Sequence, residues 1–246
     1  MILAFDTSSA LTSVAVVDDG GVVAARDHDD ARRHAEVLAP LLAEVLPFVD
    51  AAGLDAIACG VGPGPYTGLR VGIATALAVG AVWQRPVVGI CSLDAIAMAV
   101  LDLGSRSADF GVAVDARRHE VYWARYGADG TRLAGPRVSR ADGIDPRQRA
   151  GDWAGHGAAR HADLFGTVLS GDEASDPTSH ARAEWIGRRA MDLLARGMSP
   201  ATTAVPLDSH GEDSGATSRA LDGLDLLPPR PLYLRRPDAV AIGESA

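Results

Sequence analysis

The stretch AIACGVGPGPYTGLRVGIATALAVGAVW, residues 56 to 83, narrows the fold of this chain more than any other. Its first six residues are apolar without a break and read as a buried strand. Gly62, Pro63, Gly64 and Pro65 then force a sharp reversal, and the residues from Thr67 to Trp83 have the length and apolar content of a helix, with Thr67 as its expected N-cap. Glycine at 62 and 64 permits the reversal, and the amides opening the helix offer themselves to an anion. Read from its residues, the run is first a tight connection and second a phosphate site.

The flanking segments extend the pattern. ILAF is a short strand, TSVAVV and VVAARD are a hairpin pair around DDGG, and residues 31 to 47 carry a helical apolar stripe that includes Val37, Leu41 and Val45. Pro40 lies inside that stripe and is expected to bend or loosen it. PVVGI and SLDAIAMAVLDL follow as strand and helix, with Ser92 a candidate cap. Three antiparallel strands and then helix, strand, helix, strand, helix is the order of the ribonuclease-H-like half-domain found in actin, sugar kinases and heat-shock ATPases. The order starts again near residue 107 with FGVAVD, EVYWARYG and TRLAGPRVS, although the residues do not repeat. The expected fold is therefore α/β with two tandem half-domains, residues 1–106 and a smaller, degenerate 107–246 whose C-terminal segment returns to the first. Residues 178 to 196 read as one helix, and 207 to 220 as a polar, mobile loop.

Composition removes several kinds of chemistry. All 23 basic residues are arginine, so a P-loop lysine, a Schiff-base lysine and a lysine general base are absent. A net charge of -9 ill suits the chain alone to gripping nucleic acid. Cys59 and Cys91 sit in apolar segments and read as core. The sequence shows no apolar run of membrane-spanning length and no secretory signal, which makes a cytoplasmic location without membrane association the expectation.

No two of the seven histidines are three or four residues apart, so a helical metal pair is not expected, and they read as solvated surface residues. Asp6 ends the first strand as a nuclease carboxylate would, but the fourth strand ends Cys59, Gly60, Val61 and supplies nothing to meet it. Asp6 and Asp115 end equivalent strands. They read as acids capping turns or as remnants of the paired acids that manage magnesium and phosphate in actin-like ATPases. Asp6, Thr7 and Ser8 also resemble the first phosphate loop of sugar and acetate kinases, which keeps a small-molecule kinase or ATPase as the alternative function. Residues 137 to 206 lack the second set of glycine-rich loops such an enzyme needs. There is no GxSxG or HExxH motif. Arg117, Arg118 and Arg125 with Tyr122, Trp123 and Tyr126 form a basic-aromatic cluster, but strand alternation divides it between two faces, and it reads as a solvated hairpin.

Several segments together resemble the tRNA threonylcarbamoyladenosine biosynthesis protein TsaB family, also called YeaZ-like and formerly grouped with glycoproteases. They are ILAFDTSS with TSVAVV, RRHAEVLAPLLAEVL, GVGPGPYTGLRVGIATALAVG, VDARRHEVYWARY and the late PLYLR. The family usually has Ser and Phe where this chain has Pro65 and Tyr66. The resemblance implies a non-catalytic subunit. A catalytic paralogue, TsaD, carries the metal and transfers threonylcarbamoyl from its adenylate to the adenosine following the anticodon, and an ATPase subunit, TsaE, assists. ATP and metal then belong to the partners, this chain holds no cofactor, and tRNA is met only through the complex. The apolar surface of the 67–83 helix goes nearly all round. One side must rest on the sheet, and the other either faces a subunit or is sandwiched inside the monomer. By resemblance, a surface of Thr67, Arg70, Val71, Ala74, Leu77 and Ala78, flanked by Val37, Leu41 and Val45, serves both a homodimer and the pairing with the paralogue.

Overall fold

A computed structural model describes residues 1–30, 32–104, 106–171, 173–199 and 226–234. The loop expected at 207 to 220 lies outside the described residues. The chain forms β1 (Ile2–Asp6), β2 (Leu11–Asp18), β3 (Gly21–Asp29), α1 (His34–Val45), β4 (Ala56–Gly60), α2 (Tyr66–Trp83), β5 (Val87–Ile90) and α3 (Ser92–Asp102). It continues with β6 (Phe110–Asp115), β7 (Glu120–Tyr126), β8 (Arg132–Arg140), α4 (Pro146–Arg149), β9 (Asp152–Ala154), α5 (His156–Arg160), β10 (Thr167–Val168), α6 (Ala183–Ala195) and β11 (Leu226–Leu227).

Two sheets result, and they repeat one design. The first runs β11-β5-β4-β1-β2-β3 and the second β10-β9-β6-β7-β8. In each, the opening three strands form an antiparallel meander and the next two add in parallel on the other side of the first strand. The parallel additions require crossovers, and here the halves diverge. The first half crosses through the full helices α1 and α2, whereas the second crosses through the single-turn α4 and α5. The second half is the smaller and degenerate copy.

That economy leaves the second sheet short of cover, and each face is closed differently. Along β7, Tyr122, Ala124 and Tyr126 turn inward and join the main core with Phe110 and Val112. Val121 and Trp123 turn the other way into a smaller cluster with Trp153, Phe165 and Ile144. The alternation is the one expected, but the hairpin is not solvated. Trp123 is 4% exposed and Tyr126 is fully buried, because the cores on the two sides take up its two faces.

The helix expected at 178 to 196 begins at Ala183, and it packs on the first sheet. Ile186, Ala190 and Leu193 supply its buried stripe at helical spacing. No side chain of its own caps its start; the Ser13 hydroxyl of β2 accepts the Ala183 N–H at 2.7 Å, and Arg182 pairs with Asp27 of β3. It covers the face of the first sheet opposite α1 and α2, and α3 packs against it and reaches the second sheet. β11 completes the first sheet antiparallel to β5. Pro40 does not break α1; it lies exposed in mid-helix, where its missing amide leaves a carbonyl to water.

One buried polar bridge joins the halves. Asp94 of α3 accepts the Tyr126 hydroxyl at 2.7 Å and lies 3.4 Å from the Arg132 guanidinium, both charged side chains being almost without solvent contact. Removing one partner from such a pair leaves an uncompensated charge. Arg132→Met is therefore expected to lower the unfolding free energy by about 3 kcal/mol, while Met at the exposed Arg140 changes it by about 0.5 kcal/mol or less. Urea denaturation of the two variants beside the wild type checks both values.

Candidate functional site

The turn after β1 is built against α2 at close quarters. Thr7 donates its hydroxyl to the Gly68 carbonyl at 2.7 Å, inside the first turn of the helix. A methyl group at Gly64 would run into the Ser8 carbonyl, one at Gly68 into the Thr7 carbonyl, and one at Gly72 into the Thr7 hydroxyl. Further along, Gly80 makes room for Val87. The glycines of the signature thus serve contacts within the monomer. Gly62 has a different task, adopting φ +96° at the end of β4 where the chain reverses.

Asp6 lies beneath this turn, 1% exposed. Its Oδ1 accepts the Ser8 amide at 2.9 Å and the Ser8 hydroxyl at 2.8 Å, and its Oδ2 accepts the Ser92 hydroxyl at 2.8 Å. Burial pushes the carboxyl up to about 6, against the lowering effect of those bonds. The absence of a carboxylate at the end of β4 now has a steric reason, since any side chain at Gly60 would occupy the place of the Asp6 carboxylate. Two expected caps are corrected here. Cys91 holds the N-cap position of α3 and the Ser92 hydroxyl turns to Asp6; Pro65 holds that of α2, with Thr67 exposed one step inside the helix.

Beside this turn a cleft of about 610 Å³ opens between the two halves. Ser8, the start of α2 and His34 line one side; Asp115, Arg117 and His156 line the other. Asp6 and Thr7 are not among its lining residues, being turned into the body of the protein, so Asp6 and Asp115 do not meet in it. Asp115 accepts the Arg117 amide at 3.0 Å and the Arg160 guanidinium at 3.1 Å. Beyond it Arg117, Arg118 and His119 have φ of +63°, +54° and +63°. Three successive left-handed residues with side chains cost about 1–2 kcal/mol each, a feature no residue type in DARRHE announces.

Three histidines depart from the solvated reading: His34, His156 and His180 are 7%, 8% and 5% exposed. The Asp115 N–H donates to His156 Nε2 at 3.1 Å, so Nδ1 carries the proton and donates to the Ser179 carbonyl at 3.1 Å. The ring stacks on His180 at 4.2 Å. His34 shares a hydrogen bond of 2.7 Å between Nδ1 and Thr12, and burial lowers its pKa. Among the described residues no group of three histidine, cysteine or acidic side chains is arranged to hold a metal ion.

On its far side α2 presents Thr67, Arg70, Ala74, Leu77 and Ala78 to solvent, with Leu77 44% exposed. The same face includes Ala81 and Val82, which is 77% exposed. Val71 and Val37 are half-buried against the core. Leu41 and Val45 are corrections to the expected surface: Val45 is fully buried and Leu41 9% exposed, because α1 turns them down onto the sheet. Arg70 lies over the Tyr66 ring at 3.8 Å and donates to the Tyr233 hydroxyl at 3.2 Å, fixing the late PLYLR segment against the start of the helix. Among the described residues α2 is also the single helix long and apolar enough to cross a membrane, longer than the sequence reading allowed. Its inner glycines rest on the sheet and the β1 turn.

Two sheets of one strand order facing a shared cleft place the chain in the actin-like ATPase and sugar-kinase class of folds. YeaZ from Pseudomonas aeruginosa superposes with a TM-score of 0.66 at 28% identity, covering 80% of this chain and 92% of that one. An uncharacterized protein of Mycobacterium leprae (strain TN) is 43% identical over 175 residues, 69% of this chain and 46% of its own. The protein named tRNA threonylcarbamoyladenosine biosynthesis protein TsaB in Escherichia coli (strain K12) is 36% identical over 134 residues, 52% of this chain and 55% of its own. The chain thus spans about half the length of these two curated relatives. The model of the family described as TsaD: tRNA N6-adenosine threonylcarbamoyltransferase matches residues 11–157, and the chain belongs to that family, in which it is a TsaB/YeaZ-like member.

The buried carboxyl gives a pH signature. Its folded value near 6 lies above the ordinary 3.8, so the folded state keeps the proton to higher pH and loses stability as pH rises between those values. Asp6→Asn does not titrate. The unfolding free energy of the wild type relative to that variant is expected to fall by about 2 kcal/mol between pH 4 and 6 and to level off above about pH 7. Denaturation of both proteins across that range measures it; a constant difference would contradict the burial of Asp6.

Proposed function

We propose that this chain is a non-catalytic subunit of the complex that makes threonylcarbamoyladenosine in tRNA, and that it acts by holding a catalytic paralogue of the TsaD kind through the outer face of α2. The observation that carries the reading is that face itself: Ala74, Leu77, Ala78, Ala81 and Val82 form an exposed apolar strip on a helix fixed firmly from beneath. Contiguous apolar surface of this kind marks a place where another protein packs. Thr67 and Arg70 give the strip a polar end.

The disposition of the acidic residues supports a non-catalytic role. Asp6 is engaged on both oxygens by Ser8 and Ser92, and Asp115 by Arg160, which leaves neither carboxylate poised for a metal-bound phosphate. On this reading ATP and metal are held by the partners, an ATPase subunit of the TsaE kind joins the complex, and tRNA is gripped by the assembly in the cytoplasm. A second copy of the chain takes the paralogue's place on α2 when the paralogue is absent. The relative from Escherichia coli bears a name from this pathway, in keeping with the reading.

Two measurements test it. Purified chain, catalytic paralogue, ATPase subunit and tRNA are combined and assayed for threonylcarbamoyladenosine with each component omitted in turn; product is expected only from the full set. ATP turnover by this chain alone with a small-molecule acceptor would replace the proposal with the kinase reading. Separately, Leu77→Glu places an unpaired charge in the strip without touching the core and is expected to abolish co-purification with the paralogue. A folded Leu77→Glu protein that still binds the paralogue overturns the role given to α2.

A further inference from the structure

Arg70 is the one charge that α2 carries along YTGLRVGIATALAVGAVW. Ala74, Leu77, Ala78 and Ala81 follow it at i+4, i+7, i+8 and i+11, the spacing of a single helical face. Arg70 therefore ends the apolar strip rather than standing beside it, and it is exposed and takes no part in lining the cleft.

A guanidinium at the end of an apolar strip is ordinarily a loose, hydrated group, but this one is held in place. It lies 3.8 Å over the Tyr66 ring, that ring stacks on Tyr233 at 4.8 Å between centroids, and Nε donates to the Tyr233 hydroxyl at 3.2 Å. The arrangement fixes the side chain without consuming it. Its two terminal nitrogens, the edge of the fork that takes a carboxylate in two parallel bonds, have no hydrogen bond among the described residues. The acids of neighbouring α1 are already engaged, Glu36 by Arg33 at 2.8 Å and Glu44 by Arg26 at 2.7 Å.

Whatever packs on the strip takes Arg70 out of water, and a charge covered without a partner is costly. A second copy of this chain brings an α2 whose one charge is again Arg70, beside an α1 whose carboxylates are paired. We propose that Arg70 selects the occupant of α2: the partner presents a carboxylate to its terminal nitrogens, and that ion pair favours a partner with an acidic contact face over a second copy of this chain. The inference rests on the reading of α2 as the docking face.

The test uses the full chain and the purified catalytic paralogue, with their affinity measured by calorimetry and self-association by sedimentation velocity. Arg70→Gln is expected to weaken paralogue binding roughly tenfold or more and to leave self-association as strong as before or stronger. Tyr233→Phe removes only the hydroxyl contact and is expected to weaken paralogue binding by less than about threefold. Arg70→Glu is expected to lose binding and to regain it when one acidic residue on the paralogue's contact face is replaced by arginine. Circular dichroism verifies the folding of each variant. Leu77→Glu separates the two readings: if it spares binding, the docking role of α2 fails and this proposal with it. If Leu77→Glu abolishes binding while Arg70→Gln leaves it undiminished, α2 keeps its role and the ion pair falls. Equal weakening of self-association by Arg70→Gln, as large a loss in Tyr233→Phe, or no paralogue charge reversal that rescues Arg70→Glu also overturns the proposal, leaving Arg70 as a latch for the late PLYLR segment.

Discussion

The close contact between α2 and the turn after β1 sets the rest of this structure. Gly64 just before the helix and Gly68 and Gly72 on one face of it each touch Thr7 or Ser8 where no side chain could fit. The start of the helix is therefore held directly against the turn after β1. That contact decides what lies on either side: Asp6 is covered beneath the turn, the uncapped first turn forms a wall of the cleft, and the alanine, leucine and valine residues opposite are left outside. Interior packing density makes such a contact intolerant even of one methyl group.

The second half depends on the first for cover. It repeats the strand order but crosses between strands through single turns, and its one substantial helix, α6, belongs to the first sheet. With the apolar residues of β6 and β7 joined to the main core and Asp94 bridged to Tyr126 and Arg132, the halves share one interior. The cleft is what remains open between them, bounded by a left-handed loop that carries Arg117. Strain held by surrounding structure at the wall of a cavity is a common mark of function, and there it sets an arginine facing the first half.

Much of this was legible in the residues. The element order, the two-half architecture and the alternation along β7 follow from apolar periodicity, because strand and helix periods differ clearly in those segments. What escaped was everything fixed by contacts distant in sequence. In a helix apolar nearly all round, the small size of Gly72 and Gly80 does not tell inside from outside, and the structure places both inward. Leu41 and Val45 read as flanking the partner surface, yet α1 turns both down onto the sheet. Ser92 looked like a cap until Asp6, distant in sequence, claimed its hydroxyl. His34, His156 and His180 looked solvated because their partners, Thr12 and Ser179, mean nothing until the chain folds. Arg32 and Arg117 likewise share a cavity that no local pattern announces.

On the proposed function, α2 is held from within so that its outer face is left for a partner. Hydrogen–deuterium exchange of the chain, alone and with the catalytic paralogue, tests it most directly. Adding the paralogue is expected to slow exchange across residues 66 to 83 and to leave the β8 edge unchanged. Unaltered exchange in α2, with slowing confined to the second sheet, would contradict it.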